Sequence, residues 1–386
     1  ASGNATIEGN INNYEINLAT DSPWPEIIAS TWTASAEGNL DGLNFHALKV
    51  TAMNGEANAT GHIRWSPTLS WHADINAAGI DPGSRWPQWP GQLNAKLTSN
   101  GRIEAGQLIA ETDVSQLAGT LRGYPVSLHS RSGWRNNGLD LALFELRSGD
   151  AQVSAVGRVG ETLKLDWNIT ASNMAELYPQ AQGQLNAKGL FSGPQHAPTI
   201  QATFNGKALS LPDYQVGVVE GAISMDLFEW QQLDINLAAE TLKLNDYALQ
   251  SLTITSGENR IEAKAVTEKL TALVELRGKA DTQGWNGRIE HADVSSQEFQ
   301  NWQLKTPAAI KISANTVKLD PLCWLSNESN ICMTLQRDKD NWQTTLKASQ
   351  MPTLLFTPWL PADLKLEGMS DVTAKLHFRS PGKLLG

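Results

Sequence analysis

Cys323 and Cys332 are the only two cysteines of this 386-residue chain, and they stand nine positions apart. They bracket the segment Leu322-Cys-Trp-Leu-Ser-Asn-Glu-Ser-Asn-Ile-Cys332. Its Ser-Asn-Glu-Ser-Asn stretch has turn composition, so the two sulfurs are expected to face each other across a hairpin. A disulfide closing so short a loop contributes about 2–3 kcal/mol in the chain-entropy picture and implies an oxidising compartment such as a periplasm. Two separate buried thiols are the alternative. Zinc is disfavoured, because two thiolates without a neighbouring His fall short of four ligands. The seven histidines, His46, His62, His72, His129, His196, His291 and His377, are scattered, with no pair at metal-ligand spacing and no His-Glu-x-x-His. No Gly-x-Ser-x-Gly elbow, phosphate loop or dinucleotide fingerprint occurs, and no carboxylate pair stands out as acid and base. The chain therefore offers no catalytic constellation, no metal site and no reason to expect a cofactor. An enzyme is the least supported class.

What positions these residues is an uninterrupted strand pattern. From Ala5 to Phe378, short runs alternate apolar and polar residues and are broken by turn residues every ten or so positions. In Leu163, Leu165, Trp167 and Ile169 every second residue is apolar, with Lys164, Asp166, Asn168 and Thr170 between them. Side chains alternate faces along a strand, so such runs build a sheet that is apolar on one side and wet on the other. The residues expected on the apolar side are Trp71, Ala73, Ile75, Leu139, Leu141, Leu143, Leu163, Leu165, Trp167, Ile169, Ile223, Met225, Leu227, Leu233, Ile235, Leu237, Leu252, Ile254, Val274, Leu276, Ile310, Ile312, Leu346, Val372, Leu376 and Phe378. Helical signals are confined to a turn or two at Met174–Tyr178 and Gln297–Trp302, and the segment from Asp81 to Pro90 reads as irregular. The fold class is all-β.

Composition narrows the partners. Apolar residues make up 41% of the chain and charged residues only 18%, with a net charge of −10. That balance, with no basic stripe, argues against nucleic acid. No run of about 18 apolar residues is present to span a membrane as a helix. Both ends read as cut within the strand pattern, so a fragment of a longer protein is expected, with any membrane anchor outside it. The 14 Trp serve either as core filling or as the wall of an apolar channel, where an amphipathic ring suits a wet rim.

A repeat of about 90 residues runs through the pattern. Trp71 is followed by Ala-Ala-Gly-Ile at 77–80, Trp167 by Ala-Ser-Asn-Met at 171–174, and Trp342 by Ala-Ser-Gln-Met at 348–351. After the first two comes the same hexapeptide, Gly-Gln-Leu-Asn-Ala-Lys, at 91–96 and 183–188. One continuous β-segment is expected, with repeats at approximately 69–160, 163–265, 266–341 and 342–386, each covering its neighbour's edge. The apolar face can be buried between two sheets as a sandwich, or left as the floor of a single sheet curled lengthwise. Alternation is the same in both. Length favours the curled sheet, since strands of about 12 residues spaced ~4.8 Å apart would stack to roughly 150 Å.

Asp320-Pro-Leu-Cys-Trp-Leu325 with Cys332 resembles the Cys-Trp-Leu…Cys element in the middle of the TamB family. Leu69-Ser-Trp-His-Ala-Asp-Ile-Asn-Ala-Ala-Gly-Ile80, continuing through Trp86-Pro-Gln-Trp-Pro90, is similar to that family's central region, and the run from Trp342 through Gly368 to Leu376 keeps its spacing. The resemblance implies a long, U-shaped β-groove of the AsmA-like, repeating-β-groove type. It implies carriage of phospholipid acyl chains across the periplasm, with a role in outer-membrane protein assembly. It also implies an inner-membrane anchor and a contact with the outer-membrane barrel TamA, both through regions absent from this chain. A periplasmic scaffold offering strand edges to nascent outer-membrane proteins is the alternative, and an extracellular adhesin shares the same strand pattern.

Overall fold

A computed structural model describes residues 2–22, 29–226, 233–245, 247–257, 259–281, 284–296, 300–353 and 367–379. Its local logic begins in the turns. Met53-Asn54, Ala105-Gly106, Arg122-Gly123 and Asn136-Asn137 each carry positive φ at both residues. That is the two-residue hairpin whose twist matches the strands on either side. Each turn joins strands paired residue for residue, as in Glu104 opposite Gln107 and Leu121 opposite Tyr124. Among the described residues, 26 strands form one antiparallel sheet that does not close on itself. Within residues 2–194 and within residues 199–379, neighbours in sequence are neighbours in the sheet, with one exception. Gly284–Ser296 pairs with Ala308–Ile312, while Gln303–Leu304 pairs with Thr316–Ser326. One strand position is thus split in two around Pro307, which has no N–H to give to a ladder.

The chain forms two compact units, residues 1–198 and 199–386. The first runs from strand Ser2–Asn10 to strand Gln182–Pro194, the second from Thr199–Leu211 to Met369–Arg379. In each, the register slips by a residue within successive strands. Examples in the first unit lie between Phe45 and Leu48, between Val114 and Leu117, and between Leu141 and Phe144. Such bulges bend the strand that carries them and increase its twist. Gly61, opposite Phe45 at one slip, holds φ at +156°, and a side chain there would collide with the carbonyl of His72.

Bending decides where the apolar face goes. Neither unit has a second layer of strands or helices among the described residues. Yet exposure alternates: Leu163, Leu165, Trp167 and Ile169 are half-buried while Lys164, Asp166, Asn168 and Thr170 are exposed. With nothing stacked on either side, that asymmetry comes from curvature, the apolar phase being on the concave side. Each unit is a trough. Its fully buried apolar residues are chiefly alanines, such as Ala36, Ala151, Ala171 and Ala239. In the second unit, Ile289, Ala292, Ala308, Leu319 and Leu322 form a small buried cluster beside the split strand.

One sequence expectation is corrected. Leu143 lies at the slip in strand Gly138–Ser148 and takes the register of Arg131, on the polar phase, while Phe144 and Leu146 resume the apolar phase opposite Ser130 and Leu128. A slip of one residue exchanges the faces, and strict alternation through Leu139 and Leu141 overran it. The helical turn expected at Met174–Tyr178 is present as a single 3-10 turn, Met174–Glu176. The expected turn at Gln297–Trp302 begins outside the described residues, and Trp302 bridges to Val294. Leu227 also lies outside them.

Cys323 and Cys332 sit directly opposite each other, 4.0 Å apart at Cα, and are joined as a disulfide. The bond lies on the outer phase, because Leu322–Met333 and Trp324–Ile331 hold the inner one. It staples the hairpin beside the slip between Leu319 and Leu322. Replacing both cysteines by Ala is expected to remove about 2–3 kcal/mol, measured as a lower urea midpoint for the tryptophan-fluorescence transition. An unchanged midpoint would mean that the ladder alone holds this hairpin.

Candidate functional site

The concave face can be read rung by rung, because residues directly opposite in a ladder share a face. One rung crosses the whole first unit through Ala5, Leu18, Ala34, Leu48, Ala59, Ile75, Leu97, Val114, Ser130, Phe144, Ala155, Trp167 and Gly189. The next carries Ala73, Leu141 and Leu165. Trp71 opposes Gly101, Leu139 opposes Trp134, Leu163 opposes Gly193, and Ile169 opposes Val153 and Ala187. In the second unit, Phe204, Gly221, Leu237, Ile254, Ala263, Val274 and Ala292 make one rung. Beside it lie Ile223 opposite Ile235, Met225 opposite Leu233, and Leu252 opposite Ala239. Leu276 and Ile310 pack against the buried cluster, Leu346 opposes Met333, and Val372 opposes Ala348. Ile312, Leu376 and Phe378 are the most exposed of the set, Leu376 at 56%. Sequence reasoning left out the strands before Trp71 and the partners Leu97, Val114 and Phe144, whose only signal was the same alternation shifted by bulges.

Glycine shapes this surface through the aromatic rings. The ring of Trp71 occupies the space a side chain on Gly101 would fill, and its indole Nε1–H donates to Ser99 Oγ at 3.2 Å. Tyr14 lies on Gly38 in the same way, Trp285 lies on Gly278 and Gly287, and a Cβ on Gly221 would come within 2.8 Å of the Phe204 ring. Each ring lies down on the sheet instead of standing into the trough. Trp342 and Phe378 stack instead on each other, with centroids 5.9 Å apart.

The charged groups lie on the outer face and the rim. Outside, Arg158 donates to Asp140 at 2.7 Å, and Arg131 to Asp113 at 3.1 Å. His72 hydrogen-bonds Asn100 and Asp74, which together raise its pKa above the ordinary histidine value. Burial pushes the Glu275 carboxyl up, but hydrogen bonds from Arg277 and Arg260 outweigh it and leave the group below the usual range. At the rim, both hexapeptide strands are preceded by a capped 3-10 turn. Asp81 accepts from Gly83 N and Asn173 accepts from Ala175 N, each ten residues before its hexapeptide. The Gly91 amide lowers the Asp81 pKa, opposed by burial and helped by Gly83. Arg122 ties the two turns together, with its guanidinium 4.6 Å over the Trp89 ring and donating to the carbonyls of Ala175 and Glu176, both at 2.7 Å. The buried Glu176 carboxylate accepts from the amides of Asp150 and Ala151.

Among the described residues, no three His, Cys, Asp or Glu side chains group as a metal site, and no helix is long and apolar enough to cross a membrane. What the geometry defines is a class: open β-sheet proteins in which each unit leaves an apolar concave face without a second layer among the described residues. The family described as TamB, N-terminal domain, matches residues 1–385, and the chain belongs to that family. It is 21% identical over 339 residues to the translocation and assembly module subunit TamB of Haemophilus influenzae, covering 84% of this chain and 26% of that protein. The chain therefore spans about a quarter of the length of that curated relative.

Gly101→Val is expected to force the Trp71 ring off the sheet, at a cost of about 1–3 kcal/mol from overpacking. Adding Trp71→Ala should recover most of that loss, a coupling that a double-mutant cycle of urea unfolding measures. Additive losses would show that the ring does not need the glycine.

Proposed function

We infer that this chain is a section of a periplasmic conduit that carries phospholipid acyl chains between the inner and outer membranes. The observation behind this reading is the rung from Ala5 to Gly189, apolar at every position but Ser130, on a face that no second layer covers among the described residues. Burying a methylene is worth about 0.8 kcal/mol, so an acyl chain laid along the concave face gains contacts that water cannot offer. The head group stays outside, where Asn, Thr, Lys and Asp already face solvent. Adjacent strands are about 4.8 Å apart and present similar side chains, so a chain moving along them exchanges like contacts for like. Transport on such a surface needs no chemical step. Direction comes from elsewhere.

Membership of the TamB family supports a place in the translocation and assembly module, and the name of the Haemophilus relative carries the same words. On this reading the protein is held at the inner membrane by a segment outside the chain, works in the periplasm, and meets TamA and nascent outer-membrane proteins through other regions. The Cys323–Cys332 disulfide suits an oxidising compartment.

Native mass spectrometry of the chain purified from membranes is expected to show bound phospholipid. Leu165→Arg or Ile235→Arg, which place a charge on the concave face, should reduce that lipid at least tenfold while far-UV circular dichroism stays unchanged. Protein that is lipid-free from membranes and takes up none from phospholipid vesicles would overturn the reading.

A further inference from the structure

Two adjoining rungs of the first unit's concave face share one polar interruption. The rung through Ala73 and Leu141 carries three hydroxyls abreast, Ser99 opposite Thr112 and Thr112 opposite Ser132. Ser130 adjoins them on the next rung, opposite Val114. On those two rungs every other position from Ala5 and Ile7 to Gly189 and Phe191 is apolar. All four hydroxyl residues are half-buried. Thr112, Ser130 and Ser132 make no side-chain hydrogen bond with another described residue. Ser99 accepts from the Trp71 indole at 3.2 Å, which leaves its own O–H to donate.

We propose that this hydroxyl row is a binding site for the ester carbonyls of a diacyl glycerolipid, and so sets a resting position for lipid in the trough. The proposal rests on the lipid-carriage reading and adds to it. A methylene chain gains nothing from a hydroxyl, and lying over one strips it of water without replacing the hydrogen bond. An ester carbonyl is the complementary group, since it only accepts, while each serine or threonine O–H donates. Opposed residues on neighbouring strands are about 5 Å apart, so three abreast span the two esters on adjacent carbons of one glycerol. The donation from Trp71 polarises Ser99 and strengthens the bond it gives onward. Hydrocarbon-lined wall on both sides, Ala73 and Leu141 along the rung, receives the tails. The row carries no charge, so it does not select a head group.

The test is a competition between two probes in vesicles, a dioleoyl ester phospholipid and its dialkyl ether counterpart with the same head group, scored by native mass spectrometry of the chain. The wild type is expected to favour the ester about fivefold, the scale of one net hydrogen bond. Ser99→Ala with Thr112→Val and Ser132→Ala should take both probes equally. Thr112→Ser, which keeps the hydroxyl, should retain the preference, and Thr112→Val alone, isosteric and on a half-exposed wall, should lower it. Wild type that takes both probes equally, or a triple variant that keeps the preference, overturns the hydroxyl site and leaves the trough standing. Wild type that takes neither probe overturns the conduit itself.

Discussion

A sheet that is apolar on one side and has no partner layer must bend or expose that side flat to water. Everything else in this protein follows from that constraint. The bulges within successive strands, the two-residue hairpins with both residues at positive φ, and the outer Lys, Arg, Asp and Glu all serve the curvature of each unit. Bending half-buries the apolar phase without filling the space it encloses. Stability is therefore spread along the ladders: Ala151 and Ala171 are buried, but the described residues enclose no large interior for a single residue to dominate. The buried cluster around Ile289 and Leu319 is the nearest approach to a core. It stands where the split strand at Pro307 interrupts the regular meander.

The same economy explains the aromatic rings. In a sandwich, Trp71 or Phe204 would project into the opposing layer. Here each lies over glycine on a neighbouring strand, which keeps bulk out of the trough while removing apolar area from water. Trp71 adds a hydrogen bond to Ser99, so its indole N–H is satisfied without protruding. Rim polarity is handled separately, by Arg122 and Glu176 binding backbone groups of the turns. On the proposed reading, function is a property of a surface repeated many times. Membership of the TamB family fits a protein built this way.

Much of this was legible in the residues. Leu163, Leu165, Trp167 and Ile169 announce a one-sided strand, and Ser326-Asn-Glu-Ser-Asn330 announces the hairpin that brings Cys323 to Cys332. Leu143 was misplaced because a bulge leaves no mark in an alternating run; it costs one residue of register, and composition does not record it. Alternation alone did not separate sandwich from trough, since both alternate in the same way; the length of the pattern and the family resemblance favoured the trough. The hydroxyl row could not be seen at all from one strand. Ser99, Thr112 and Ser132 are unremarkable in their own segments and become a feature only when register sets them side by side.

The central claim is that the concave phase, and not the outer one, holds acyl chains. Placing a photoactivatable amino acid at Leu165 and, separately, at its neighbour Lys164 in the complete protein tests it on adjacent residues of one strand. Irradiation in membranes is expected to attach phospholipid at position 165 and not at 164. Equal labelling at both positions, or labelling at 164 alone, would contradict the account.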